Sequence, residues 1–331
     1  MTTRVAIVGA GKIGTKHARV LHALPSAEVS HVVDTRSDAA EVVAEQVGAT
    51  AAPFENALDD VDAVYVCTPD DEHIEVTRTA IDRGVHTFVE KPLATDSNAA
   101  ADLTRMAAES DGAHMVGHIL RFDPRYRQLR SAIADGSVGD VCSISATRLV
   151  ARGRARRIGA QSSLAMRLGV HDFDVLQWLA DEPLPRVSAY EADGALRAEG
   201  YDVPDTVTIS GEFASGATAD LTLGFCLPEA HPGSVVDVTV IGTDGAAALD
   251  ASGAETQVWK DDGGSYPDAH LWPEIGGRPG GALERESREY LNAIENDGAS
   301  PVPFEAGRSS VAAAAAVERS IETGGQVTVS Q

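Results

Sequence analysis

The chain has little of several features that would place a protein in other classes. Its 331 residues contain three cysteines, Cys67, Cys142 and Cys226, which are widely separated. Because neither these thiols nor the histidines and carboxylates cluster at ligand spacing, we predict no metal site. Three isolated thiols indicate a reduced, cytoplasmic protein, and no signal peptide precedes the first strand. No apolar run reaches the roughly 20 residues that a membrane span needs.

Lysine is also scarce. Only Lys12, Lys16, Lys91 and Lys260 occur, so arginine supplies 23 (27 − 4) of the 27 basic residues, against 50 acidic ones. The net charge of −23 makes nucleic acid and anionic membranes poor partners. Acid enrichment with little lysine is typical of proteins adapted to high intracellular salt, where counterions screen the self-repulsion. An ordinary acidic cytosolic enzyme is the alternative.

The features that are present begin with the first 34 residues. Val5–Val8 is a β-branched apolar run, typical of a strand buried on both faces of a parallel sheet. Gly9, Gly11 and Gly14 follow at Gly-x-Gly-x-x-Gly spacing, and a helical pattern comes next. A second strand ends at Asp34, 20 residues after Gly14. This order of strand, glycines, helix, strand and acid predicts a dinucleotide site.

Each part of that stretch has a physical role in holding a dinucleotide. Gly9 permits a tight turn, Gly11 lets the backbone approach the pyrophosphate, and Gly14 lets the helix pack closely on the strand. The amino terminus of the helix offers free N–H groups to the phosphates. Asp34 can accept two hydrogen bonds from the ribose diol and would repel a 2′-phosphate, so we predict NAD. Arg36 could instead bind such a phosphate, so NADP is the alternative cofactor.

The hydrophobic pattern changes after Pro124. Before it, strands and helices alternate as in βαβ units. Strands are predicted at 63–67, 86–89 and 114–120, and helices at 38–47, 72–83 and 96–110, the last capped by Thr95 or Asp96. After it we predict helices at 125–135, 164–179, 284–296 and 309–323, and strands at 141–150 and 327–329. Alternating strands are predicted over 186–258. An arginine-rich loop is predicted at 148–157 and a polar surface excursion at 252–279.

Polar motifs follow the ends of three strands in the first part, at the edge where ligands bind in open parallel sheets. Cys67-Thr68-Pro69 leads into His73, and Glu90-Lys91-Pro92 ends the next strand. His118 and Arg121 follow the third. Much further along, one predicted helix carries both Arg167 and His171.

Together with the glycine stretch, these motifs resemble the Gfo/Idh/MocA oxidoreductase family, which is recognised by Glu90-Lys91-Pro92. The resemblance covers essentially the whole chain, and Val116–Tyr126 is most similar to the inositol dehydrogenase branch. It implies hydride transfer between a sugar or cyclic polyol carbinol and nicotinamide. Lys91 matches the family's catalytic lysine, whose ammonium would stabilise developing alkoxide charge. His171 matches the histidine that takes the hydroxyl proton.

The resulting prediction is an α/β protein with two domains. Residues 1–121 form an N-terminal Rossmann dinucleotide-binding domain. Residues 122–331 form a C-terminal α/β domain with an open, predominantly antiparallel sheet, which binds a small-molecule sugar or polyol and joins copies into a homodimer or homotetramer.

The predicted site residues fall into two groups. The cofactor-binding residues are Gly9, Gly11, Lys12, Ile13, Gly14, Asp34, Thr35, Arg36, Cys67, Thr68, Pro69, His73, Glu90 and Lys91. The substrate-binding residues are Lys91, His118, Arg121, Arg167 and His171, with Lys91 and His171 catalytic. Simple helix capping is the alternative for His73, and core packing is the alternative for His118.

One position departs from the family pattern. Many members carry an aspartate four residues before the histidine, and this chain has Arg167 there. An arginine can bind an anion bidentately. The segment upstream holds five more arginines, Arg148, Arg152, Arg154, Arg156 and Arg157. They form either an ion-paired surface loop or the mouth of a site for an anionic substrate.

Two other functions therefore stay open. A nucleotide-sugar or sugar-acid dehydrogenase would use these arginines as an anion site. A nicotinamide-binding sensor or regulator without catalysis would need neither Lys91 nor His171, and both are present.

Overall fold

The computed structural model describes residues 2–158, 163–261 and 263–330. They form two compact units: the first unit is Met1–Phe122 with Leu271–Arg308, and the second unit is Asp123–His270 with Ser309–Gln331. The first boundary between the units, after Phe122, lies next to the domain boundary that we predicted after residue 121. The return of Leu271–Arg308 to the first unit was not predicted. Within the described ranges, no helix is both long and apolar enough to cross a membrane.

The first unit is built on a six-stranded parallel sheet in the order β3-β2-β1-β4-β5-β6. Its strands are β1 Thr3–Val8, β2 Ala27–Val33, β3 Thr50–Ala51, β4 Ala63–Val66, β5 His86–Glu90 and β6 His114–Gly117. The helices of this part are α1 Lys12–Ala23, α2 Ser37–Val47, α3 Phe54–Ala57, α4 His73–Asp82 and α5 Ser97–Ala108. The strand order reverses between β1 and β4, which is where ligands bind in such sheets. The predicted Rossmann architecture is confirmed.

Local sequence explains where these elements begin and end. All four residues of β4 are buried, as expected of a strand covered on both faces. The predicted cap of α5 is confirmed, because Asp96 accepts hydrogen bonds from the backbone of Asn98 and Ala99. The predicted strand at 114–120 is too long. The chain turns after Gly117 into a 3₁₀ turn at Ile119–Phe122.

The second unit contains a seven-stranded sheet in the order β12-β11-β7-β10-β9-β8-β17. Its strands are β7 Val141–Ala151, β8 Arg186–Ala192, β9 Thr206–Glu212, β10 Thr218–Leu227, β11 Val235–Gly242, β12 Ala246–Asp250 and β17 Val327–Thr328. Every neighbouring pair is antiparallel except β7 with β10. The predicted open, predominantly antiparallel sheet is confirmed. Its accessible face carries short polar side chains such as Thr208, Ser210 and Asp220.

The helices from Asp123 onward are α6 Pro124–Ala134, α7 Arg152–Ile158, α8 Val170–Ala180, α9 Ala195–Ala198, α10 Ala282–Glu295 and α11 Phe304–Thr323. The predicted arginine-rich loop is wrong. β7 runs on to Ala151 and α7 follows directly, since arginine and alanine are both good helix formers. The predicted polar excursion at 252–279 contains two small hairpins, β13 Val258–Lys260 with β14 Gly263–Ser265, and β15 Glu274–Ile275 with β16 Arg278–Pro279.

Candidate functional site

The glycine turn between β1 and α1 has the geometry that a dinucleotide needs. Gly9 has φ of 103°, a conformation that favours glycine. A Cβ at Gly14 would lie 1.8 Å from the carbonyl oxygen of Gly9, so only glycine lets α1 approach the turn this closely. A Cβ at Gly11 would meet no other atom within 4 Å. The folded chain therefore leaves open space at Gly11, where the pyrophosphate is expected.

Asp34 is brought directly to this turn. Its carboxylate accepts a hydrogen bond from the backbone N–H of Ala10 at 2.8 Å and another from that of Arg36 at 2.9 Å. The guanidinium of Arg36 lies 3.7 Å from the same carboxylate, and Thr35 and Arg36 are exposed beside it. The acid thus has a structural role as well as the predicted cofactor role. Lys12 and Ile13, at the start of α1, complete this corner.

His73 joins two of the predicted motifs. Its Nδ1 lies 2.7 Å from the carbonyl oxygen of Pro92, and its Nε2 lies 3.1 Å from that of Thr68. The ring is buried and makes no capping hydrogen bond, so the helix-capping alternative is wrong. Carbonyl oxygens only accept, so the ring is the donor in a hydrogen bond to either one. This imidazole links the end of β4 to the Lys91–Pro92 peptide, which is cis.

Glu90 is hydrogen-bonded to a histidine that we did not predict as a site residue. His17, fully buried on α1, donates from Nε2 to the Glu90 carboxylate at 2.9 Å. Glu90 also accepts the backbone N–H of Lys91 at 3.2 Å. Burial alone would raise the pKa of Glu90, but the hydrogen bond from His17 and the charges of His17 and Lys91 hold it below its ordinary value. A histidine on the buried face of the first helix was the only signal for this contact.

The remaining predicted residues of the first unit lie at the same carboxyl edge of the sheet. Cys67 is buried, Thr68 and Lys91 are half-buried, and Pro69 is exposed. Burial raises the pKa of the Cys67 thiol well above its ordinary value, so it is no nucleophile at neutral pH.

His118 and Arg121 follow β6. His118 is 1% exposed, and Arg121 is half-buried in the 3₁₀ turn. Burial of His118 agrees with the packing alternative and leaves pocket lining untested.

In the second unit, Arg167 and His171 share one narrow accessible strip. Across 164–177 every residue is buried except these two, which are half-buried. Arg167 belongs to a π-helical turn, Ala165–Gly169, that leads directly into α8. Such turns occur frequently at functional sites. The predicted helix from Leu164 is confirmed, with this irregular first turn.

Arg148 and Arg156, two of the upstream arginines, hold carboxylates in ion pairs. Arg148 holds Asp172 with two hydrogen bonds of 2.7 and 2.9 Å. Arg156 binds Glu199 at 2.8 and 2.9 Å and Glu229 at 2.6 Å. For these two residues the ion-paired alternative is supported over the anion mouth. The side chain of Arg157 lies outside the described residues.

Comparison with known proteins agrees with this geometry. Residues 3–118 match the model of an oxidoreductase family with an NAD-binding Rossmann fold, and residues 126–248 match the GFO/IDH/MocA C-terminal domain. An inositol 2-dehydrogenase of Rhizobium meliloti (strain 1021) is 29% identical over 304 residues, which are 89% of this chain and 88% of that protein. Inositol 2-dehydrogenase 1 of Saccharopolyspora erythraea is 30% identical over 259 residues, covering 75% and 74% of the two chains.

A solved structure shares the fold over the whole chain. Scyllo-inositol dehydrogenase from Lactobacillus casei, with bound NAD(H) and scyllo-inositol, has a TM-score of 0.85 at 22% identity and covers 100% of both chains. At that identity the likeness concerns the fold alone. Taken with the two matched domains and the sequence relatives, it leads to one conclusion: this chain belongs to the Gfo/Idh/MocA family of NAD-binding oxidoreductases.

Proposed function

We propose that this protein is an NAD-dependent dehydrogenase that oxidises a ring carbinol of an inositol or a similar cyclic polyol. The observation that carries the proposal is the presence of both Lys91 and His171 in a chain that aligns with 88% of an inositol 2-dehydrogenase. Bound NAD supplies the acceptor for the hydride that leaves the carbinol carbon.

The first unit supplies the groups that would hold NAD. The open space at Gly11 suits the pyrophosphate, and Asp34 stands at the turn where the adenosine ribose is expected. Lys12, Ile13, Thr35 and the Cys67-Thr68-Pro69 segment complete the proposed cofactor site. His73 and Glu90 act on it by fixing the turn that carries Lys91.

Two side chains act on the substrate hydroxyl. His171 accepts the hydroxyl proton as general base, and the Lys91 ammonium donates a hydrogen bond to the same oxygen as negative charge develops. Arg167, on the strip beside His171, contacts the polyol, with His118 and Arg121 as further substrate residues. The anionic alternative is weakened because Arg148 and Arg156 already hold carboxylates.

The test is turnover of purified protein in several-molar KCl, with NAD or NADP and a panel of inositols, aldoses, sugar acids and nucleotide sugars. Reduced cofactor is read by absorbance, and NAD binding is measured separately. We expect turnover of a neutral cyclic polyol, loss of turnover with retained NAD binding in Lys91→Ala, and the same result in His171→Asn.

Other outcomes discriminate the alternatives. Turnover of anionic sugars alone would favour the sugar-acid or nucleotide-sugar dehydrogenase. Bound NAD without turnover of any class would favour the sensor. Unchanged turnover in Lys91→Ala would exclude the assigned role of that lysine.

Location and assembly are part of the same proposal. The three isolated cysteines support a reduced, cytoplasmic setting, and the acidic composition supports adaptation to salt. The accessible face of the seven-stranded sheet is the surface through which we propose a homodimer or homotetramer. Sedimentation velocity in KCl tests the assembly, and a monomer at micromolar concentration would contradict it.

A further inference from the structure

A buried ion pair involves the residue that follows the proposed base in the chain. Arg148, near the carboxyl end of β7, donates from Nε and Nη2 to the two oxygens of Asp172. Asp172 follows His171 in the chain and belongs to the first turn of α8, which packs on β7. The two side chains are 12% and 2% exposed. A fork of two parallel charge-assisted hydrogen bonds fixes both distance and orientation.

The surroundings of this pair include a titratable group from a neighbouring helix. Tyr126 of α6 is 1% exposed and lies against both Arg148 and Asp172. Burial raises the pKa of the Tyr126 hydroxyl, so it is neutral at physiological pH. On the helical segment itself the charged neighbours are Arg167 and Asp174. The carboxylate charge next to His171 is therefore balanced mainly by Arg148.

We propose that Arg148 and Asp172 are positioning residues for His171: their fork pins the first turn of α8 to β7, and the Arg148 charge cancels the carboxylate charge beside the imidazole. His171 is the general base only under the proposed function, and the inference rests on that function. Neither residue of the pair is assigned contact with substrate or cofactor. Both act through His171.

Opposite single changes should have opposite electrostatic effects. Arg148→Met leaves the Asp172 anion uncompensated, which favours the protonated imidazole. Because the base must be neutral to accept a proton, the acid limb of the pH profile of kcat/KM should move to higher pH. Asp172→Asn leaves the Arg148 cation, which disfavours the imidazolium, so the limb should move to lower pH. We expect roughly one pH unit in each direction, at the lower end of shifts caused by a nearby charge.

Two further variants separate charge from geometry. Arg148→Lys keeps the charge and loses the planar fork, so kcat should fall about tenfold while the acid limb stays in place. The double variant Arg148→Met/Asp172→Asn removes both charges and should return the limb to its original pH. Arg156→Met is the matched control, because it breaks the more accessible ion pairs of Arg156 with Glu199 and Glu229 and should leave the profile unchanged.

A second readout does not need turnover. The protein has 10 histidines, and the ring signal of His171 in a histidine-labelled sample is the one missing from His171→Asn. Its titration midpoint should rise in Arg148→Met and fall in Asp172→Asn. If the wild type oxidised no polyol, the proposed function would fail while this titration still tested the pair.

Three results would overturn the inference. The first is an equal shift of both single variants in one direction. The second is an unchanged His171 midpoint in both folded variants. The third is an Arg148→Lys enzyme with wild-type kcat. Should Arg148→Met fail to fold, Asp172→Asn and Arg148→Lys decide the question by the same criteria.

Discussion

At the scale of one residue, a substitution at Gly11 should weaken cofactor binding without lowering stability. Its φ of −73° suits any amino acid, and an added Cβ would meet no protein atom within 4 Å. We therefore expect Gly11→Ala to keep the melting temperature of the wild type while the Kd for NAD rises about tenfold or more, because the methyl group occupies the approach of the pyrophosphate. Differential scanning fluorimetry measures the melting temperature, and displacement of fluorescent NADH by NAD measures the Kd for NAD.

Gly14 is the matched position for that experiment. A Cβ there would clash with the Gly9 carbonyl oxygen at 1.8 Å, so Gly14→Ala should lose stability with or without NAD. If Gly11→Ala bound NAD as tightly as the wild type, the pyrophosphate would have to lie elsewhere.

We expect Asp34 to determine the choice between the two nicotinamide cofactors. Its carboxylate accepts the Ala10 N–H, and its negative charge would repel a 2′-phosphate. Asp34→Ser keeps a hydrogen-bond acceptor and removes the charge, so the ratio of kcat/KM for NADP to that for NAD should rise at least about tenfold. Arg36, exposed beside it, would then bind the phosphate. Adding Arg36→Ala should reverse most of the gain. An unchanged ratio in Asp34→Ser would mean that another group distinguishes the ribose of NAD from the 2′-phosphate of NADP.

At the scale of elements, the first 120 residues were largely predictable. After residue 270 the two helices and the last strand were predictable, but the return of Leu271–Arg308 to the first unit was not. The structure has the strand, the glycine turn and the position of Asp34 that the local pattern predicts. Leu271–Arg308 gave no such signal, because its return to the first unit depends on long-range contacts. Arg19 holds Glu274 at 2.8 and 3.0 Å, and Lys16 lies over the Trp272 ring. Neither contact has a periodic pattern in the sequence.

The proposed site was predictable to a similar degree. Lys91 and His171 were predicted as site residues from short motifs and remain predictions, and the accessible strip of Arg167 and His171 follows from helical spacing. The contacts of His17 and His73 were not found, because each joins groups that are far apart in sequence. The arginine segment was mistaken for a loop because its charge suggested exposure. Instead, the segment continues β7 and forms α7, because its residues favour a helix and its arginines bind carboxylates.

Helix α10 carries a buried acid whose protonation makes stability depend on pH. Glu286 is fully buried, and neither carboxyl oxygen has a hydrogen-bond partner among the described residues. Burial, with a smaller effect of Glu90, raises the pKa of Glu286 well above its ordinary value. The folded form therefore keeps the proton, while the unfolded chain releases it above about pH 4.5. Stability falls as pH rises through this window.

Glu286→Gln removes that titration and keeps the shape of the side chain. Relative to the wild type, its free energy of unfolding should increase with pH above 4.5 by up to about 1.4 kcal/mol per unit, until the folded-state pKa is passed. Urea unfolding between pH 5 and 8 measures the difference. Glu295→Gln, exposed on the same helix, is the control and should show no such trend. A constant difference across the range would place an ionised carboxylate at Glu286.

For the whole molecule, the net charge of −23 on 34.6 kDa should make stability depend on salt. The Debye length falls from about 10 Å at 0.1 M to about 3 Å at 1 M, so added KCl screens the mutual repulsion of the carboxylates. We expect the melting temperature at pH 7.5 to rise steeply between 0.1 and 1 M KCl. Near the sequence pI of 4.7 the net charge vanishes, so the same salt series should raise the melting temperature far less. An equal rise at both pH values would mean that salt acts by strengthening apolar burial, and the acidic surface would then have no part in adaptation to salt.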